Sequence, residues 1–417
     1  MNTSKRWSNF AIACCAVLVS GCASLADLVG GASSGDPSAL PGALSPPARQ
    51  LLERAYADVD RNKLLDYHVH LLGMGEGGSG CYVNERMLSW SHPLERARFL
   101  VYRSAARITD ERRAESQYLE HLGALARPHG GRLLLLAFDE HHDAEGRADR
   151  TRSEFHVPDA YAMAVAASEP ERFVAACSIH PRRADAIVRL ERCAARGVRI
   201  VKWLPNAMGI DPADERNLPF YERMRALDMI LLAHAGKEEA VEAAESQQLG
   251  NPLRLRVPLD AGVKVIAAHF ASLGDDADLD DPARRSQPSW QILLRMMDEP
   301  RWRGLLFADI SAVTQANRTP GPLATLLRRQ DLHARLVNGS DYPLPAVNIL
   351  IRTSSLVSQG FITPKERAAL NEIYDYNPLV FDYVLKRTLR VRDADGREYR
   401  FPPAIFEQHP LLAPTRG

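Results

Sequence analysis

From Leu64 onward the chain repeats one pattern: a short apolar or β-branched run, a polar turn, then apolar positions at helical spacing. The runs are Leu64–His70, Arg132–Phe138, Phe173–His180, Val198–Leu204, Met229–His234, Val263–His269, Leu305–Ile310 and Arg335–Asp341, eight in all. Helical patterns separate most of them: Leu94–Arg127 (read as two helices), Pro158–Ser168, Arg183–Arg196, Pro219–Leu227, Lys237–Gln248, Trp290–Asp298 and Gly321–Arg329. Gly197 just past one helix and Gly262 just before one strand are the expected punctuation. Eight strands alternating with helices predict an α/β fold in which a parallel sheet closes as a (β/α)8 TIM barrel. An open doubly wound sheet is the alternative, but no Gly-x-Gly-x-x-Gly follows any early strand.

The pattern changes at both ends. Thr363-Pro364-Lys365-Glu366 predicts a helix start with an N-cap, a first-position proline and a capping glutamate. Asn377-Pro378 interrupts that helix, and a last one covers Leu379–Arg387. Apolar and charged residues then flank Asp395-Gly396, a hairpin signal, in a tail (389–417) that reads as an appendage. The barrel domain is thus expected over 48–388. Ahead of it, residues 22–47 are rich in Gly, Ala, Ser and Pro and read as a flexible tether. Lys5 and Arg6 precede an apolar stretch, Phe10 to Val19, too short to span a bilayer. The following Leu18-Val19-Ser20-Gly21-Cys22 resembles a bacterial lipoprotein signal. The resemblance implies cleavage after residue 21, lipidation of Cys22 and attachment outside the cytoplasm. With Ala23 next, the outer membrane facing the periplasm is the expected address.

Composition narrows the function classes. Apolar residues are 46% and charged residues 25%, enough for a large core. Lys+Arg and Asp+Glu both total 52, so bulk charge argues against a nucleic-acid partner. Removing residues 1–21 takes away Lys5 and Arg6 alone, leaving 50 basic against 52 acidic residues, a balance of −2. Beyond the signal, Cys81, Cys177 and Cys193 are an odd set without Cys-x-x-Cys spacing. They predict no disulfide framework, with Cys177 and Cys193 as small core residues.

Asp66-Tyr67-His68-Val69-His70 carries the chemistry. Strand alternation sends His68 and His70 to one side, where two imidazoles can grip one divalent cation. Active groups of a TIM barrel sit at the C-terminal ends of strands. Those ends hold His68, His70, His180, Lys202, His234, His269 and Asp341. His180 either ends its strand before Pro181 or lines the substrate pocket. Lys202 and Trp203 are candidate substrate contacts, and His141-His142 are loop residues that could reach substrate. Asp66 orients a histidine or is structural, and Gly73–Gly80 is either a mobile lid or an exposed loop.

The strand-1 motif, Leu231-Leu232-Ala233-His234-Ala235-Gly236, Ala267-Ala268-His269-Phe270 and Asn338-Gly339-Ser340-Asp341-Tyr342-Pro343 together resemble the amidohydrolase superfamily. Within it they are most similar to the branch that includes aminocarboxymuconate-semialdehyde decarboxylase. The resemblance spans roughly residues 62–385. It implies a primary metal site of His68, His70, His234 and Asp341, with His269 orienting or polarising water and substrate or ligating a second metal. In several relatives a strand-4 lysine is carboxylated and bridges two metals. Lys202 allows that arrangement, but one metal is the expectation. Imidazoles and a carboxylate suit Zn²⁺ or a related divalent ion. The expected activity is a metal-dependent hydrolase in which activated water attacks an amide, ester or lactone of a small molecule, with Asp341 as base. Decarboxylation of a small carboxylic acid is the alternative chemistry. A ligand-binding lipoprotein without catalysis is the alternative class. Expected partners are a small-molecule substrate and the membrane through the lipid, with a homodimer left open.

Overall fold

A computed structural model describes residues 28–31 and 35–410. The signal segment and Cys22 lie outside the described residues. Eight parallel strands form the centre: β1 (Leu65–His70), β2 (Arg132–Leu136), β3 (Phe173–Ala176), β4 (Ile200–Trp203), β5 (Ile230–His234), β6 (Lys264–Ala268), β7 (Leu306–Asp309) and β8 (Leu336–Val337). Strands β1–β3 form one ladder in sequence order and β4–β8 another. Two parallel bridges join the ladders into a ring. Cys177 meets Val201 between β3 and β4, and Val69 meets Tyr342 between β1 and the end of β8. Around this ring run α1 (Pro46–Tyr56), α2 (Pro93–Ala105), α3 (Ala114–His129), α4 (Asp159–Ser168), α5 (Ala186–Ala195), α6 (Leu218–Ala226), α7 (Ser289–Asp298), α8 (Gly321–Arg328), α9 (Pro364–Tyr376) and α10 (Pro378–Thr388).

Strand alternation divides the apolar residues into two cores. Leu65, Tyr67, Leu134, Leu136, Ile230, Leu232, Phe307 and Val337 fill the inside of the ring. Leu133, Leu135, Val201, Trp203, Leu231 and Ala308 face outward into the layer beneath the helices. The ring is therefore a plugged barrel whose chemistry must lie above the plug.

Several elements depart from the sequence-based expectation. The tail is no appendage. Its strands β9 (Val391–Arg392) and β10 (Glu398–Tyr399) form the hairpin around Asp395-Gly396. The chain then seals the N-terminal end of the barrel, where Leu65 donates to the Phe406 carbonyl and Asn338 to that of Ile405. The tether reading fails for its described part, because Leu40 and Leu44 are buried in the outer core and Ser45 bonds Glu372. The helix expected over Lys237–Gln248 is replaced by loop and a 3-10 segment, Ala244–Gly250. Glu238 accepts from the Ala240 and Val241 amides and Glu242 from Ala244, so side chains take the bonds a helix needs. Cys177 and Cys193 form a disulfide, contrary to their reading as separate core residues. That pairing joins the end of β3 to α5, a contact created by the fold and invisible in the spacing.

Candidate metal centre

Strict alternation along β1 would defeat the histidine pair. Tyr67 points into the barrel, so His68 and His70 would point out. The ladder with β2 shifts register between Asp66 and Val69, and this irregularity reverses the parity: Val69 goes to the outer core and the two histidines inward. Asp66 fixes the distortion, its Oδ1 accepting from the amides of His68 (2.9 Å) and Ser340 (2.8 Å). It is a backbone clamp across the β1–β8 seam rather than a histidine partner. Asp341 arrives with φ +64° and donates its amide to the His68 carbonyl at 2.7 Å. Gly339 is required beside it, since a Cβ there would lie 2.8 Å from that of His68.

The result is a buried donor cluster. Oδ1 of Asp341 lies 3.4 Å from Nε2 of His68 and 3.2 Å from Nε2 of His70. One ligand atom from each of these residues falls within 4.8 Å of the others. On the far side of Asp341, Oδ2 is 3.9 Å from Nδ1 of His269. Burial alone would raise the Asp341 carboxyl, but His269, His68 and His70 around it hold it well below the usual carboxylate range. Burial lowers the pKa values of His70 and His269, against the opposing pull of the Asp341 carboxylate.

Asp309, at the end of β7, governs His68. Its Oδ2 lies 2.9 Å from Nδ1 of His68, and its Oδ1 accepts from the amides of His269 (2.8 Å) and Ser311 (3.0 Å) and from the Ser311 hydroxyl. A carboxylate only accepts, so the His68 proton sits on Nδ1 and the Nε2 lone pair faces the cluster. Lys202, wholly buried and pushed down to about 8 by that burial, approaches the same lone pair at 3.0 Å. Its ammonium competes with a cation for His68, so a metal must displace or neutralise it.

A model of the amidohydrolase family matches residues 65–379, most of the chain. The chain belongs to the amidohydrolase family. Solved structures similar to this amidohydrolase include an uncharacterised TIM-barrel protein from Bordetella bronchiseptica, 18% identical over 74% of this chain and 94% of that one, with a TM-score of 0.47. A putative 2-pyrone-4,6-dicarboxylic acid hydrolase from Pseudomonas putida is 16% identical over 74% and 90%, at 0.40. The 5-carboxyvanillate decarboxylase of Sphingomonas paucimobilis is 13% identical over 74% and 95%, at 0.41. At these identities and scores they say nothing about the substrate of this chain. No curated protein matches it.

The amidohydrolase brings together three of the four expected ligands. His234 points inward from β5, but its Nδ1 lies 3.3 Å from Glu238 Oε2 and its Nε2 3.3 Å from the Lys237 carbonyl. Its ring stands 5.1 Å from that of His269, one ring removed from the cluster. His180 lies elsewhere, stacked on His142 at 4.6 Å in a cavity of about 330 Å³ over the ends of β2–β5. His141, Arg152 and Arg182 also line that cavity. Trp203 does not line the site. Next to the inward Lys202, it points outward, where it stacks on Phe220 and donates to the Ile179 carbonyl. Gly73–Gly80 is pinned and not a free lid: Glu115 Oε1 accepts from the amides of Met74, Gly75 and Glu76 and from Ser79. Sequence reasoning missed Asp309, although it too closes an apolar run. It also missed Glu238, which no pattern marked.

Proposed function

We propose that this amidohydrolase is a divalent-metal-dependent hydrolase acting on a small molecule at the C-terminal face of its barrel. The observation that carries this reading is the cluster of two imidazoles and one carboxylate within 4.8 Å of one another, on strands that converge above the plug. That donor set fits a divalent ion of borderline hardness such as Zn²⁺, and His68, His70 and Asp341 would hold it, with His234 as a fourth ligand after rotation away from Glu238. A bound ion of this kind polarises a carbonyl and lowers the pKa of water toward about 7. The chain's own residues do the rest. Asp341, held ionised, accepts a proton. Asp309 fixes the tautomer of His68, and Ser311, whose Oγ lies 2.7 Å from Nδ1 of His269, fixes that ring. Lys202 stands at His68 either as a cation toward the substrate or, if carboxylated, as a bridge between two metals.

A lipid on Cys22 would place this site outside the cytoplasm. Support for that address comes from Cys177–Cys193, since disulfides persist in oxidising compartments. The test is turnover on amide, ester and lactone panels, with carbon dioxide release followed in parallel. Hydrolysis that disappears in Asp341→Asn, with the metal content and circular dichroism of the variant recorded, is the expected outcome. Carbon dioxide release without hydrolysis would transfer the site to decarboxylation, and unimpaired hydrolysis in the variant would remove Asp341 from its role.

A further inference from the structure

Residues 28–31 are fixed to the C-terminal side of the barrel. Asn348, beyond β8, donates from Nδ2 to the Leu28 carbonyl at 2.8 Å and from its amide to the Val29 carbonyl at 3.1 Å. Gly30 lies so close on α2 that a Cβ there would come within 2.6 Å of that of Ser104 and 2.8 Å of the Val101 carbonyl. Helix α2 itself crosses this side of the barrel. Phe99 and Leu100 pack with Met74 and Phe155, from the connections after β1 and β2. Tyr102 donates to the Ala240 carbonyl after β5, and the Ala105 carbonyl accepts from Tyr342, the neighbour of Asp341, at 3.4 Å.

The outer side of α2 is apolar and exposed. Among the described residues, three of the five exposed large apolar side chains belong here: Leu28 at 67%, Trp90 at 54% and Leu94 at 49%. Leu94 precedes Val101 by two turns, about 10 Å along one stripe of the helix, so it shares a side with the segment at Gly30. Trp90 stands in the turn before α2 with the Arg96 guanidinium 5.7 Å from its ring. Residues 85–113 carry seven arginines against four acids. Clustered apolar side chains need a partner where single ones do not, and tryptophan among arginines suits the boundary between water and lipid.

Chain length selects that partner. Cys22 stands six residues before Leu28. Fully extended, six residues reach roughly 20 Å, less than half the width of roughly 50 Å expected for a chain of this size. A lipid on Cys22 therefore lets only the side of the molecule around Leu28 meet the bilayer. We propose that the face of α2 bearing Trp90 and Leu94 rests on the anionic phospholipid surface that holds this lipid, with the metal-bearing side of the barrel turned toward the membrane. The arginines attract the headgroups, and Trp90 and Leu94 enter the interface. This rests on the lipid proposed for Cys22 and not on the bond being hydrolysed.

The test uses the full mature chain with its lipid, in vesicles of phosphatidylethanolamine and phosphatidylglycerol whose acyl chains are brominated or plain. Bromine quenches tryptophan that enters the bilayer, and comparison with Trp90→Phe isolates the emission of Trp90. Most of that emission should be lost to bromine, and Trp90→Phe should be almost indifferent to it. Replacing phosphatidylglycerol with phosphatidylcholine, or introducing Leu94→Asp, should cut the quenching about twofold or more. Both variants should melt as wild type does, since both side chains are about half exposed. Trp90 untouched by bromine, or quenching that survives both changes, would overturn the proposal. So would Trp90 shielded from aqueous acrylamide yet not quenched by bromine, which would give the face to a second copy of the chain. Mass spectrometry of the same preparation reads Cys22. An unlipidated cysteine removes both the address and this proposal, whereas lipidated protein with unquenched Trp90 removes the proposal alone.

Discussion

A single carboxylate decides what His68 can offer. Asp309 presents Oδ1 to three donors and Oδ2 to the His68 ring. In Asp309→Asn the three donors keep the carbonyl oxygen, which turns the amide NH₂ toward Nδ1 of His68. That imidazole must then accept at Nδ1 and carry its proton on Nε2, so its lone pair leaves the cluster. Metal affinity should fall about 10- to 100-fold, as for other partners that orient a ligand. Chelator competition measures it, and an unchanged affinity would remove Asp309 from the site. This residue also marks how far the sequence could be read. His68, His70 and Asp341 were legible because each belongs to a motif near the end of an apolar run. Asp309 ends a strand too, but no motif surrounded it. Lys202 and Trp203 are adjacent, and a period of two sends one into the barrel and the other out of it. His234 was legible as inward-facing, while the approach of Glu238 to within 3.3 Å of it depends on a loop that reads as helix.

Among elements, the eight strands were legible from apolar runs, and the capping box at Thr363 and Glu366 forms as its residues predict. What was not legible is long-range. The register shift in β1 arises from Asp66 bonding residues 2 and 274 positions away, which no local pattern encodes. The tail likewise has too few apolar residues to look structural until it meets the barrel floor. Phe406 is 1% exposed, packs on Tyr383 at 5.2 Å and gives its carbonyl to Leu65. Phe406→Ala should therefore cost about 3–5 kcal/mol, the range for a buried phenylalanine. Urea denaturation measures this. A loss under about 1 kcal/mol would restore the tail to an appendage.

At the scale of the whole molecule, the barrel buries more imidazoles than its metal site uses, and this sets a pH dependence. His129 is an instance remote from the cluster, packed against Tyr383 at 4.9 Å with its Nδ1 2.6 Å from the Tyr56 hydroxyl. Burial first, and then the charge of Arg61, push it down to about 3. The unfolded chain takes up a proton at this position near pH 6.5 and the folded chain does not until far lower. Above that pH neither state is protonated and the histidine costs nothing. Between about 6.5 and 3 the unfolded state binds more protons, so stability falls on acidification by about 1.4 kcal/mol per pH unit for this group. Asp382 and Glu238 act oppositely. Burial raises each to about 6, so they favour the folded state as pH falls below that value. Wild-type stability alone would mix these contributions, and a difference isolates one. His129→Gln removes the titration and keeps an amide that can bond Tyr56. Its stability relative to wild type should rise as pH falls from 6 to 4, with the slope stated above and no such trend between 7 and 8. Urea midpoints at each pH measure it, and parallel curves would show that His129 protonates in the folded state.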